Sequence, residues 1–350
     1  MTASGDTVVE GYRLSAQQAA LWLEGHRAAT VGCTIRLTGD LDVDTLRAAV
    51  EHVVREHEIL RTAFRRLPAM TLPLQVVDET LLETGPVRWL GDGPGGRLDR
   101  GAEAETGPTV RARLTGGPGS PWTLELRLPA LNADARTLLH LASAVCAAYR
   151  DLRAGRRPQE AEVQYAMFAE WQHEVAAGGD AQEGRRYWEE YAARHAPLPW
   201  PLATTPEPAR PPLASTPEPA RPPLATAPAP DAPAPSPPAA ASGAPPAAVS
   251  LPPETVALLG RYVKDTGTEP FAVLLAAWTA LVSRMSGGRE TVTYAVFDGR
   301  AFEELRDAPG PYSHRLPVAS GAGHDRTFDD VAGEVSEVLS GHGTWLAHAP

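Results

Sequence analysis

Trp122-Thr123-Leu124-Glu125-Leu126-Arg127-Leu128-Pro129-Ala130-Leu131-Asn132-Ala133-Asp134-Ala135 joins a strand pattern to the start of a helix pattern. Trp122, Leu124, Leu126 and Leu128 alternate with polar residues, the period of a half-buried strand. Pro129 removes a ladder donor and ends that strand. After a short turn, Leu138, Leu141, Val145 and Tyr149 recur at helical spacing and predict an amphipathic helix. The unit is strand, turn, helix, with the polar residues gathered in the turn.

The same alternation runs through the rest of the chain. Val31, Cys33, Ile35 and Leu37 predict a strand. A helix follows, capped by Asp42 or Asp44, with Leu46, Val50, Val53 and His57 on one face. Short strands are predicted at Leu74–Val77, Val87–Leu90 and Val110–Leu114, and helices around Phe168–Trp171 and Tyr187–Tyr191. Later, Val256, Leu259 and Tyr262 mark a helix after Pro252 and Pro253, and Phe271–Met285 marks another. The second of these is apolar nearly all round and is expected to be buried. Thr291–Phe297 and Arg315–Val318 read as strands, and Phe328, Val331, Val335 and Val338 mark a final helix. Alternating strands and helices give the class α/β.

Between these blocks lies a stretch of another kind. Of the 35 prolines in the 350-residue chain, 19 fall between Pro197 and Pro246. TPEPARPPLA occurs at Thr205–Ala214 and again at Thr216–Ala225. Proline fixes its own φ and biases its predecessor toward extended backbone, so the segment reads as a semi-rigid tether. The expected organisation is therefore a first lobe at 1–195, a Pro/Ala-rich linker at 196–250 and a second lobe at 251–350.

Composition narrows the function classes. A formal charge of −11, from 43 acids against 32 bases, argues against nucleic-acid binding. Cys33 and Cys146 cannot form a disulfide framework or a zinc site alone, and both read as buried thiols of a reducing compartment. No signal peptide opens the chain, and the longest nearly apolar run, Phe271 to Val282, is too short to span a bilayer. The expectation is a soluble, cytoplasmic protein without a membrane or nucleic-acid partner. Gly91-Asp92-Gly93-Pro94-Gly95-Gly96 fits a dinucleotide fingerprint in form, but no apolar helix follows to present its amides, so it reads as a turn. The ten histidines form no metal pair at helical spacing.

Several separated segments together resemble the condensation domain of nonribosomal peptide synthetases, in the chloramphenicol-acetyltransferase-like superfamily. Leu14-Ser15-Ala16-Gln17-Gln18 with Leu21-Trp22 is similar to the family's LSxxQxxLW, and His57-Glu58-Ile59-Leu60-Arg61-Thr62-Ala63-Phe64 to its HExLRTxF. Gly107–Leu114 resembles GPLxRxxL. Tyr165–Trp171 resembles YxDFAxW, with Met167 in place of Asp, and Tyr187-Trp188 matches the following YW. Phe271–Trp278 is similar to the helix that opens the second lobe. Asp298-Gly299-Arg300 resembles the end of GxxxxGR, and Gly310–Pro317 resembles GxFVNTLP. The resemblance implies two lobes of like fold and donor and acceptor thioesters brought on the phosphopantetheine arms of carrier proteins, with an adenylation domain as a further partner. It also implies amide formation and no directly bound cofactor or metal.

The chain departs from the family at its active-site motif, HHxxxDG, whose positions here read Pro129, Ala130, Leu131, Asn132, Ala133, Asp134 and Ala135. The imidazole that the family uses to position or deprotonate the acceptor amine corresponds to Ala130. A methyl group can neither accept a proton nor a hydrogen bond. Asp134 is retained, and the resemblance implies a structural ion pair with Arg61, while its position also suits a helix N-cap. His314, where the family has Asn, is the candidate substitute base. His140 is too far round its helix to share a face with Asp134. The resemblance also implies a second lobe short of its last strands, with an open sheet edge. Three readings follow: a condensation-like scaffold or partner-binding domain with impaired catalysis, a divergent acyltransferase using another base, or a fragment of a split synthetase.

Overall fold

Leu124, Leu126 and Leu128 carry the core because their strand sits inside a sheet, not at its edge. The computed structural model describes residues 11–68, 70–91, 109–117, 119–195, 250–287, 290–323 and 325–349. The linker at 196–250 therefore lies, except for Ser250, outside the described residues, as do Gly107, Pro108 and the turn after Gly91. In chain order the elements are α1 (Ala16–Leu23), β1 (Thr30–Leu37), α2 (Val43–Glu56), β2 (Thr62–Arg65), β3 (Leu74–Val77), α3 (Leu81–Thr84), β4 (Val87–Leu90), β5 (Val110–Gly117) and β6 (Ser120–Pro129). They continue with α4 (Ala135–Arg153), α5 (Tyr165–Ala177), α6 (Ala181–Arg194), α7 (Pro253–Thr266), α8 (Pro270–Met285), β7 (Thr291–Phe297), β8 (His314–Ser320) and α9 (Phe328–Thr344).

The described residues fall into two compact units. The first takes the described parts of Met1–Glu190 together with Val296–Leu316 and Gly343–Pro350. The second takes those of Tyr191–Ala295 and Pro317–His342. Residues 296–316 come after the linker in sequence, yet their side chains pack and pair with the first unit. Tyr312, Leu305 and Ala308 belong to its core cluster.

In the first unit, β6 is central in the order β1-β6-β5-β4. It pairs antiparallel with β1 from Thr30↔Pro129 to Leu37↔Trp122, and antiparallel with β5. Val87–Leu90 runs parallel to β5. The alternating leucines of β6 face a layer formed by α2 and α4, whose Val50, Val53, Leu138, Leu141 and Val145 are buried in the same cluster. Asp42 caps α2 by accepting from Thr45 N, and the helix stops at Glu56, so His57 is its C-cap, not part of its apolar face. Gly32 of β1 is a close approach: a Cβ there would lie 2.4 Å from the Arg127 side chain and 2.5 Å from Leu126 O. Cys33 is half-buried, but Cys146 is exposed on α4, which corrects the expectation of two buried thiols.

In the second unit, α8 does not meet its expectation. Ala272, Val273, Leu275, Ala276, Ala280 and Val282 are buried, whereas Phe271, Leu274, Trp278, Leu281 and Met285 are exposed. Only one face of this apolar helix has a covering layer. Strands β7 and β8, each of which has residues in both units, form a two-stranded sheet.

Leu124 is fully buried at the middle of the β6 row. Leu124→Ala is expected to cost about 2–5 kcal/mol, read as a lower urea midpoint at unchanged slope.

Candidate functional site

The turn from Pro129 to Asp134 is largely buried and anchored at several points, although Asn132 Oδ1 has no hydrogen-bond partner among the described residues. Ala130 N donates to Ala29 O at 2.8 Å, and Asn132 N donates to Pro129 O at 3.0 Å. Asn132 Nδ2 donates to Ile59 O and Thr62 O at 2.7 and 2.9 Å. Leu131 is buried in a cluster with Leu14, Trp22 and Phe64. Its carbonyl accepts from Gln18 Nε2 at 3.0 Å, and the same amide nitrogen donates to Gln75 Oε1 at 2.9 Å. The sequence LSAQQ thus supplies the brace behind the turn. Ser15 and Gln18 form a capping box at the start of α1, which fixes the direction of Gln17 and Gln18.

Asp134 has non-helical backbone and caps α4, accepting from Thr137 N at 2.7 Å. Its ion-pair partner is Arg300, not Arg61. Arg300 Nη1 meets Asp134 Oδ2 at 2.9 Å, and Nη2 meets Oδ1 at 3.1 Å, a bidentate pair. Tyr312 N, Ser313 N and Ser313 Oγ also donate to Asp134 Oδ2, at 3.1, 3.1 and 2.9 Å. Burial alone would raise this carboxyl, but Arg300 and the surrounding donors outweigh it and hold the group below the usual range. The guanidinium also donates to Asp298, Thr137, Ala308 O and Gly310 O, and lies 4.3 Å from the Tyr312 ring centroid.

Arg61 instead pairs with Glu79 at 3.2 Å. The two pairs differ in kind. Arg300 and Asp134 side chains are 1% and 10% exposed, while Glu79 is 65% exposed. The expected Arg61–Asp134 pair fails because Asp134 is saturated by residues 300–313, which arrive from distant sequence. Arg300 stands in the quoted DGR segment, so its type and motif were visible, but nothing in one sequence says that it meets Asp134.

Gly310 belongs to the same assembly. Its φ is +150°, and a Cβ there would lie 2.1 Å from the Tyr165 ring. The absence of a side chain lets Gly310 O and N reach Thr137 Oγ1 at 2.7 and 3.1 Å.

His314 opens β8 and is buried. Its Nε2 lies 2.7 Å from Gln17 Nε2, and the same amide donates to Tyr312 O at 3.0 Å. An amide nitrogen only donates, so His314 Nε2 accepts and the ring proton sits on Nδ1. The basic lone pair is therefore engaged. Burial pushes this imidazole down to about 4, so it is neutral near pH 7. His140 faces Asp307 at 3.1 Å, and His57 is pushed down to about 4 by burial with its Nδ1 unpartnered. Ala130 itself offers only its methyl. A cavity of about 420 Å³ in this unit is lined by Leu14, Ala19, Met70, Leu72 and His173, among others, and by none of residues 129–135 or His314.

No protein-family model matches the chain. Among solved structures, the first condensation domain of the calcium-dependent antibiotic synthetase, in complex with a substrate analogue, aligns with a TM-score of 0.69. The match covers 97% of this chain and 76% of that one at 20% identity. The chain has the condensation-domain fold. The X-domain from teicoplanin biosynthesis aligns with a TM-score of 0.68 at 21% identity, over 97% of this chain and 72% of its own. In sequence, this condensation-fold chain is 30% identical over 350 aligned residues to a nonribosomal peptide synthetase, CymA of Salinispora arenicola. It is 26% identical over 320 residues to a linear gramicidin synthase of Brevibacillus parabrevis. These matches cover 94% and 86% of the chain but 4% of the length of either synthetase.

Two stability measurements test this geometry. Asp134→Ala leaves the buried Arg300 with only the partly exposed Asp298 carboxylate and is expected to cost about 3–5 kcal/mol, more than Glu79→Ala, whose carboxylate is largely exposed. The second concerns pH. His57 and His314 are pushed down from 6.5 to about 4 in the folded state, so the unfolded chain binds their protons first as pH falls. Stability is expected to drop between those values, by about 3 kcal/mol for each ring. Urea midpoints across that range, with His314→Gln, should show one of the two shares removed.

Proposed function

We propose that the chain is a condensation-domain component of nonribosomal peptide assembly that binds partner proteins without supplying acid–base catalysis. One observation carries this reading: the backbone turn that leads into α4 is intact and braced, yet the position expected to present an imidazole carries the methyl of Ala130. Asp134 does not substitute, because its carboxylate is occupied by Arg300 and by the amides of Tyr312 and Ser313. His314 does not substitute either, since Gln17 holds its Nε2. A site kept in shape and emptied of its base suits a docking or scaffolding role.

The relatives support the setting, since the sequence matches are peptide synthetases. By the family resemblance, the partners are carrier proteins bearing phosphopantetheine thioesters, or an adenylation domain. The X-domain of teicoplanin biosynthesis offers a parallel, as its structure is known in complex with another protein, OxyB. In this reading, any rate enhancement comes from bringing two loaded carriers together, which needs no proton acceptor.

The test is incubation with donor- and acceptor-loaded carriers, read by intact mass. The expected result is at most the slow amide formation that bringing the two loaded carriers together gives. Pro129→His combined with Ala130→His is expected to raise product formation by about 10²-fold or more, the usual range for general acid–base help. Turnover by the unaltered protein at the rate of that double variant would overturn the reading. Loss of turnover on His314→Ala would then assign the base.

A further inference from the structure

The cavity of about 420 Å³ in the first unit has a lining that runs against the charge of the chain. Leu14, Ala19, Leu72, Leu74 and Ala347 form apolar walls, with the half-exposed Met70 beside them. The ionisable side chains on its border are Arg13, His173, Arg185 and His348. The chain carries 43 acids against 32 bases, yet no Asp or Glu lines this cavity. An apolar space of this size with a few polar groups at its border is the usual form of a small-molecule site.

The walls are held to one another. Ala16 N at the start of α1 donates to Gln172 Oε1 of α5 at 3.1 Å, and His173 Nε2 donates to Leu14 O at 2.8 Å. Arg185 of α6 donates through Nη1 to Ala176 O, near the end of α5, at 3.2 Å. Trp188 Nε1 donates to Trp345 O at 3.0 Å, and Ala349 is buried in a cluster with Trp188. Gly184 shows how closely α6 approaches the 347–349 segment, since a Cβ there would lie 2.5 Å from the His348 ring. The cavity is therefore preformed, and a ligand entering it orders few side chains.

The two guanidiniums on the border are not equivalent. Arg13 is committed to Glu170, which accepts from its backbone N and its Nε at 2.9 Å each, and from its Nη2. Arg185 is exposed and, among the described residues, pairs with no carboxylate. Its Nη1 holds α5, which leaves Nε and Nη2 as a two-pronged donor. One uncommitted positive charge beside an apolar space suits a ligand with one negative charge and an apolar body. A carboxylate meets that description, whereas a dianionic phosphate brings a second charge that the border does not match.

We propose that this cavity binds a small amphipathic monocarboxylate, with its apolar tail between α1, α5 and the 70–74 segment and its carboxylate at Arg185. The site goes beyond the proposed partner-binding role and does not rest on it, because none of residues 129–135 lines the cavity.

Decanoate is the probe. Decanol and decyltrimethylammonium keep its tail and change its head, and each is used below its micelle concentration. Binding to the 350-residue chain is read by isothermal titration calorimetry and by hydrogen exchange of residues 14–20. The expected result is saturable one-to-one binding of decanoate, about tenfold tighter than decanol, with slowed exchange at the start of α1 and no binding of the cation. Arg185→Gln is expected to bring decanoate down to the affinity of decanol, a loss of about tenfold, and to leave decanol unchanged. Ala176→Trp, at an exposed position on the cavity wall, is expected to abolish binding of both by filling the space, with circular dichroism unchanged. Equal binding of the three probes, or decanoate binding indifferent to Arg185→Gln, would refute the assigned ligand class. Decanoate binding that survives Ala176→Trp would refute the assigned cavity, and the absence of saturable decanoate binding would refute the proposal as a whole.

Discussion

The buried pair of Asp134 and Arg300 is the constraint around which the first unit is arranged. One carboxylate caps α4, receives a bidentate guanidinium and takes two backbone amides of the 310–313 segment. A charge so buried is tolerable only when every partner is present. The pair therefore fixes the start of α4 against residues nearly 180 positions away in sequence. It explains why Gly310 carries no side chain, why Thr137 is buried and why Tyr312 stacks on the guanidinium. This network is structural: the Asp134 carboxylate and the Arg300 guanidinium are taken up by its own members.

That separation of structure from chemistry is the main feature of the site. The turn at 129–134 keeps its anchors through Asn132, Gln18 and the Ala130 amide. What it lacks is a proton-exchanging side chain free of structural partners, since Asp134 is held by Arg300 and the 312–313 amides. The nearest imidazole of the network, His314, is held by Gln17 as a neutral acceptor. Nothing in the sequence marks Gln17 and Gln18 as site residues, because a glutamine in a first helix carries no chemical signature. Their role comes from the capping box, which aims one at the turn and the other at β8.

The second unit shows the opposite imbalance, with more apolar surface than neighbours to cover it. Its α8 spends Ala272, Ala276 and Val282 on the unit's own core and leaves a second apolar face outward. An all-apolar helix reads as buried in sequence because composition records how much apolar surface exists, not how many layers are present to meet it.

Most of the longer elements are legible in the sequence, because hydrophobic period is a local property. The leucines of β6, the apolar face of α4, Asp134 as an N-cap and the substitution at Ala130 can all be read there, whereas α1, β2 and α3 carry no such signal and the choice of Asp42 over Asp44 as the cap of α2 came from the structure. The condensation-like order of motifs is legible there too. Tertiary structure alone decided which charge meets Asp134, since Arg61 and Arg300 both stand in retained motifs and only their placement separates an exposed partner from a buried one. It also decided that residues 296–316 join the first unit and that α8 keeps a bare face. Pairing and covering depend on contacts between segments far apart in the chain, and a single sequence carries no term for the distance between them.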